Sequence, residues 1–140
     1  VIPVFLEKPF RWQENGVRFS GRWDRVDFGP SGPVITDYKT DGAASAREAD
    51  KRAAASLQLD IYALSFLKTQ GTLPAEVRLC FLEAGVVGRA VKGRAELERA
   101  QSMIMEAVEG IRNGSFEARP DWGTCGGCDF KTICPSSYAY

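Results

Sequence analysis

The chain predicts an α/β fold, a central mixed sheet flanked by helices, and three patterns predict it. Apolar residues alternate over short stretches near the start. They recur at helical spacing over two long stretches further on. Gly, Pro and Asn separate the two kinds of stretch. With 44% hydrophobic and 26% charged residues among 140, the composition is that of an ordinary globular domain with a core, and a disordered chain is excluded.

Residues 4–12 and 17–28 read as strands joined at Glu14-Asn15-Gly16, an Asn-Gly hairpin signal. Gly29-Pro-Ser-Gly-Pro33 is a turn, and residues 34–40 form the next strand, completing an antiparallel meander. Asp41-Gly42 ends it. One helix is expected over residues 46–69, because Leu57, Ile61, Leu64 and Leu67 share a helical spacing and alanines fill its first half. Gly71 and Pro74 stop it. Residues 77–83 alternate as a strand, Gly85 and Gly88 flank a turn, and residues 86–91 return. A second helix spans residues 94–113, with Leu97, Ile104, Val108 and Ile111 on one side and Asn113-Gly114 at its end. Residues 115–140 read as an irregular, cysteine-bearing tail to a core of residues 1–114, the two together making one domain over 1–140. The first residue, Val1, already reads as strand, so a fragment of a longer polypeptide is expected.

Eighteen basic residues balance eighteen acidic ones, which removes a global basic field but not a local one. The absence of histidine excludes Ser-His and Cys-His catalysis built from this chain alone. No apolar run approaches a membrane span, so no membrane partner is expected. Four cysteines in this context read as reduced thiols or metal ligands, in a cytoplasmic setting.

Chemistry concentrates in two acidic strands and one lysine: Gly21-Arg-Trp-Asp24-Arg-Val-Asp27, then Asp37-Tyr-Lys39-Thr. Alternation along a strand puts Asp37 and Lys39 on one face and turns Tyr38 into a core with Val34 and Thr36. Asp24, on the neighbouring strand, can stand beside Asp37. Two close carboxylates repel unless a cation sits between them, and a hard divalent cation takes such oxygens. The bland alternative, solvated polar positions on a wet face, is disfavoured because Asp suits strand interiors poorly. Asp27 should face away from Asp24, and Asp41 begins a turn.

Together with Gln58-x-x-x-Tyr62 and Cys125-x-x-Cys128-x5-Cys134, these elements resemble the RecB-like branch of the PD-(D/E)xK nuclease superfamily, the module of RecB/AddB-type exonucleases and helicase–nucleases. The resemblance covers residues 16–135. It implies a restriction-endonuclease-like core and an Mg²⁺- or Mn²⁺-dependent deoxyribonuclease of exonuclease type, with DNA and a helicase domain or subunit as partners in recombination and repair. It makes Asp24, Asp37 and the Tyr38 carbonyl the metal ligands. It makes Asp24, Asp37, Lys39, Gln58 and Tyr62 the catalytic set. Many relatives add a metal ligand, often a histidine, from an upstream helix that is not seen in this sequence. Glu7, where relatives often carry an acid, is expected to be a strand-face charge.

In relatives with a cluster, cysteines matching Cys125, Cys128 and Cys134 join a fourth from upstream to hold [4Fe-4S]. Here the alternatives are such a cluster in the full-length protein, zinc with an outside ligand, or an empty remnant packed through Phe130 and Ile133. Cys80, mid-strand, reads as a small buried hydrophobe. Arg22 is expected on the Asp24 face, and Arg18, Arg25, Lys51 and Arg52 could line an approach for DNA phosphates. Trp12, Trp23 and Trp122 read as core. Two other classes of function stay open: a catalytically silent domain that binds DNA or docks a helicase, and a structural metal domain organised by the tail.

Overall fold

The computed structural model describes residues 3–42 and 45–138, so Val1 and Ile2, read as the start of a strand, lie outside them. Two compact units divide the chain, Val1–Ile104 and Met105–Tyr140. The first holds a five-stranded sheet in the order β1 (Phe5–Glu14), β2 (Val17–Gly29), β3 (Gly32–Lys39), β4 (Glu76–Phe81) and β5 (Val86–Ala90). The first three strands form the expected antiparallel meander. Asn15 and Gly16 take φ 49 and 71, the paired left-handed geometry that a two-residue hairpin turn requires. β4 runs parallel to β3 and β5 antiparallel to β4, so the sheet is mixed.

A parallel pair needs a crossover connection. Here it is two helices, α1 (Ala46–Ala55) and α2 (Leu57–Gln70), where the sequence predicts one. Ser56 breaks the run with φ −75 and ψ 111. Its N–H closes α1 on the Ala53 carbonyl, and its Oγ accepts from the Leu59 amide at 3.2 Å, capping α2. Apolar periodicity passes through the break without a change of phase that would reveal it. Lys92 secures the junction. Its side chain is 1% exposed, its Nζ donates to the Ala54 carbonyl at 2.7 Å, and it lies 2.6 Å from Asp60 Oδ1. A carbonyl stranded at the end of α1 is thereby satisfied.

One sheet face, here called inner, carries Val26, Ile35, Val77, Leu79 and Phe81 against Ala53, Leu59, Ala63 and Phe66 of the helices. Trp23 is 1% exposed between Phe10 and Phe66, ring centroids 5.0 and 5.3 Å away, and its Nε1 donates to Ser65 Oγ at 2.9 Å. Gly88 allows α1 its close approach, since a Cβ there would sit 2.1 Å from the Ala49 carbonyl oxygen. Leu97, from the part of α3 (Arg94–Arg112) inside this unit, completes the core.

Alternation along β2 slips once. Trp23 and Val26 both face inward although three residues apart. The β1–β2 ladder skips the facing positions Glu7 and Asp24, and Glu7 takes φ 47. Arg25 and Asp27 therefore share the outer face with Thr36 and Tyr38 of β3.

In the second unit, the tail read as irregular contains α4 (Trp122–Gly126), capped by Asp121 Oδ1 accepting from the Thr124 amide at 2.9 Å. Among the described residues no helix is long and apolar enough to cross a membrane.

Lys92→Met should destabilise the protein by about 3–5 kcal/mol, because Asp60 would keep a charge with no partner. Lys92→Met/Asp60→Leu should recover much of that loss. Urea unfolding of both variants checks the pair.

Candidate active site

β3 carries the site because it lies in the middle of the sheet. Ile35, Asp37 and Lys39 follow one another along its inner side. Asp37 is 2% exposed, about as buried as the apolar core beside it. Its neighbours make this burial tolerable. Lys39 Nζ lies 2.8 Å from Asp37 Oδ2, and Gln58 Nε2 donates to Asp37 Oδ1 at 2.7 Å. Gln58 Oε1 accepts from Lys39 Nζ at 2.7 Å, so Asp37, Lys39 and Gln58 form a closed ring. The amide orientation is forced, since an ammonium only donates and a carboxylate only accepts. The second Gln58 N–H points to Tyr62 Oη at 3.2 Å. Gln58 and Tyr62 share a face of α2, one turn apart, and Ser56 sets where that helix begins.

Asp24 enters from β2 at the slipped position. One of its oxygens, Oδ2, accepts from the Tyr38 backbone amide at 3.0 Å. A side chain replaces a ladder partner there, which is why the regular pairing of β2 with β3 stops at Arg25 and Thr36. The slip also separates Asp24 from Arg22, expected on the same face. Arg22 instead pairs with Glu7 at 3.2 Å.

Burial pushes the Asp37 carboxyl above its ordinary range, the Lys39 contact opposes this, and the Asp24 charge adds to it. Burial also raises the Tyr62 phenol, against the Gln58 hydrogen bond, with further lifting by Asp24, Asp37 and Glu7. Three carboxylates thus act on one tyrosine, a sign that Glu7 stands close enough to contribute to the local potential.

Other expectations are placed differently. Tyr38 does not enter the core. Its side chain is 38% exposed on the outer face, because the inner side of β3 is the one that meets the helices. Cys80 follows it there, half-buried, rather than packing as a small hydrophobe in the core. Asp27 is turned away from Asp24, as alternation predicts, and binds Arg25 at 2.7 Å. Asp41 pairs with Arg52. Trp122 is exposed at 73%, contrary to a core reading. Sequence reasoning missed Lys92 and Asp60, which hold the α1–α2 junction two residues from Gln58. Their signal was only a pair of charges in otherwise apolar surroundings.

Among the described residues no three or more His, Cys, Asp or Glu side chains gather in a metal-binding group. What converges is two aspartates. Asp37 Oδ2, buried and without an aligned hydrogen bond, can exchange its ionic contact with Lys39 for a cation. Magnesium characteristically takes one or two carboxylates and fills its shell with water and phosphate oxygens, so this pair fits it. Cys125 is buried in α4, and Cys128 and Cys134 are half-buried in the turns after it. These three thiols likewise form no such group.

An Asp-x-Lys pair on the inner face of a mixed sheet, with a second aspartate on the adjoining strand, has the form of a nuclease-type site. The pattern of the PD-(D/E)XK nuclease superfamily matches residues 1–135, and the chain belongs to that superfamily. A search of curated proteins found no match to it.

In the folded state burial holds the Asp37 carboxyl above its ordinary range. Between its ordinary value and the raised one, the folded state holds more protons than the unfolded state, so stability falls as pH rises through that window. Thermal melts in EDTA between pH 4 and pH 8 should show this decline in the wild type and a weaker decline in Asp37→Asn.

Proposed function

We propose that this chain is a metal-dependent deoxyribonuclease module. The observation that carries the reading is the closed Asp37–Lys39–Gln58 ring beside Asp24. Asp24, Asp37 and the Tyr38 carbonyl are the groups that would hold Mg²⁺ or Mn²⁺. When bound, the cation supplies charge neutralisation at a phosphoryl oxygen and a water made acidic near neutral pH.

The protein's own groups do the positioning. Lys39, held by Gln58, places one positive charge where negative charge develops on the phosphate. Gln58 fixes both the lysine and the carboxylate, so neither has to reorganise during the reaction. Tyr62 anchors the Gln58 amide. Cleavage of exonuclease type, a restriction-endonuclease-like core, and service as the nuclease module of a RecB/AddB-type helicase–nuclease in recombination and repair rest on the resemblance of the four motifs. A [4Fe-4S] cluster on Cys125, Cys128 and Cys134 would need a fourth thiolate and a different arrangement of the three. The hydrolytic reading uses none of them.

A second reading, DNA binding without turnover, draws on the small donor set of two carboxylates and on Lys39 already neutralising Asp37. Calorimetric titration with Mn²⁺ and cleavage of an end-labelled oligonucleotide separate the two. Asp37→Ala and Lys39→Met should each lower cleavage by about 10²–10³-fold or more. Circular dichroism should show both variants folded. Full activity in Asp37→Ala would sink the catalytic reading. Oligonucleotide retention without cleavage at millimolar Mn²⁺ would favour the second.

A further inference from the structure

The sheet separates its charges by face. Each of the six arginines carried by the strands, Arg11, Arg18, Arg22, Arg25, Arg78 and Arg89, falls on the outer side. Register shows this directly. Arg11, Arg18 and Arg22 lie opposite the inward Phe10, Trp12 and Trp23, in positions that pair Arg11 with Ser20 and Arg18 with Gln13. Past the slip at Asp24, Arg25 pairs with Thr36, Thr36 with Arg78, and Arg78 with Arg89. These four form one row across β2 to β5, about 5 Å from strand to strand.

Two arginines directly across a strand pair repel each other. Arg78 and Arg89 share Glu76, Arg25 is held by Asp27, and Arg22 by Glu7. Among the described residues no ion pair involves Arg11 or Arg18. Six guanidiniums thus face three carboxylates on a chain whose formal net charge is zero. The row lines a hollow of about 230 Å³ with Tyr38 at its edge. Arg11 and Arg22 flank an open groove of about 440 Å³ with Ser20. Arg25 and Arg78 stand about 10 Å apart, two strand spacings, with Thr36 between them. The guanidinium nitrogens that these carboxylates leave over can reach phosphate oxygens, and an exposed tyrosine offers a base a stacking face.

We propose that the outer face of the sheet is a second nucleic-acid surface, which holds the phosphate backbone of a single strand without reading its sequence. The strand reaches it over the end of β3, where consecutive residues point to opposite faces: Asp37 and Lys39 inward to the cleavage site, Tyr38 outward to the arginine row. The inference rests on the nuclease reading for the kind of ligand. The arginines it uses are separate from the catalytic set.

The test is fluorescence anisotropy of a labelled single-stranded DNA of about 20 nucleotides, in EDTA, titrated with the chain at several salt concentrations. With five or six phosphates engaged, the wild type should show a log–log salt slope of about −4. Arg11→Gln/Arg18→Gln/Arg78→Gln/Arg89→Gln should bind at least tenfold more weakly, with the slope shallower by about 3. Arg11→Gln/Arg18→Gln alters two exposed residues without ion pairs and guards against a folding defect. It should account for about half of that slope change. Unchanged affinity and slope in both variants, or no binding by the wild type, overturns the inference. Parallel cleavage assays in Mn²⁺ keep the two readings apart. Cleavage by the wild type with unchanged binding in the variants removes the outer-face surface alone. Binding through these arginines without cleavage removes the catalytic reading alone.

Discussion

The structure is organised around a carboxylate that has no intrinsic reason to be buried. Asp37 occupies a core position on the central strand, where an ionised group costs several kcal/mol unless its oxygens are matched. Matching them fixes much else. Lys39 must follow at the same face of the strand, and a polar residue must descend from the helix above. That helix must begin where its second residue, Gln58, stands over β3. Ser56 supplies the beginning and Lys92 holds it, so a loop cation just after β5 indirectly sets the geometry of the ring.

What was legible in the sequence follows from what repeats. Alternation and turn residues together located the five strands, and the Asn15-Gly16 turn fixed the register of the first hairpin, but Gly88, read as flanking a turn, lies inside β5 where it makes room for α1. Asp37, Lys39, Gln58 and Tyr62 could be placed because two simple periods, two and four, put each pair on a common face. The illegible parts are those where a period is interrupted. The break at Ser56 leaves the apolar stripe in phase, and only the capping hydrogen bond reveals it. The slip at Asp24 moved Arg22 and Arg25 away from the positions that uninterrupted alternation assigns. Tyr38 was misplaced for another reason. Alternation states that Tyr38 opposes Asp37 but not which side the helices cover, and the helices chose the side with the charges.

That choice gives the sheet two unlike surfaces. Its inner face combines an aliphatic and aromatic core with a small polar cluster around Asp37, a setting of low dielectric in which each fixed charge has a long reach. Its outer face is half-wet and rich in guanidinium, where interactions are weaker individually and sensitive to salt. Fixed catalytic geometry suits the first environment and adaptable electrostatic contact suits the second.

The skipped pairing of Glu7 with Asp24 has a further meaning for how the chain can vary. On either side of it the hairpin and the rest of the sheet are out of phase by one position, so inside and outside are defined separately for each part. Losing one residue from β2 alone at this point would turn Phe10 and Trp23, or else Val26 and Ile35, toward the wrong side. A change of length is tolerable only when β1 and β2 change together. The irregularity is thus a joint between two separately patterned halves, and Asp24 sits in that joint, where neither half dictates the direction of its side chain.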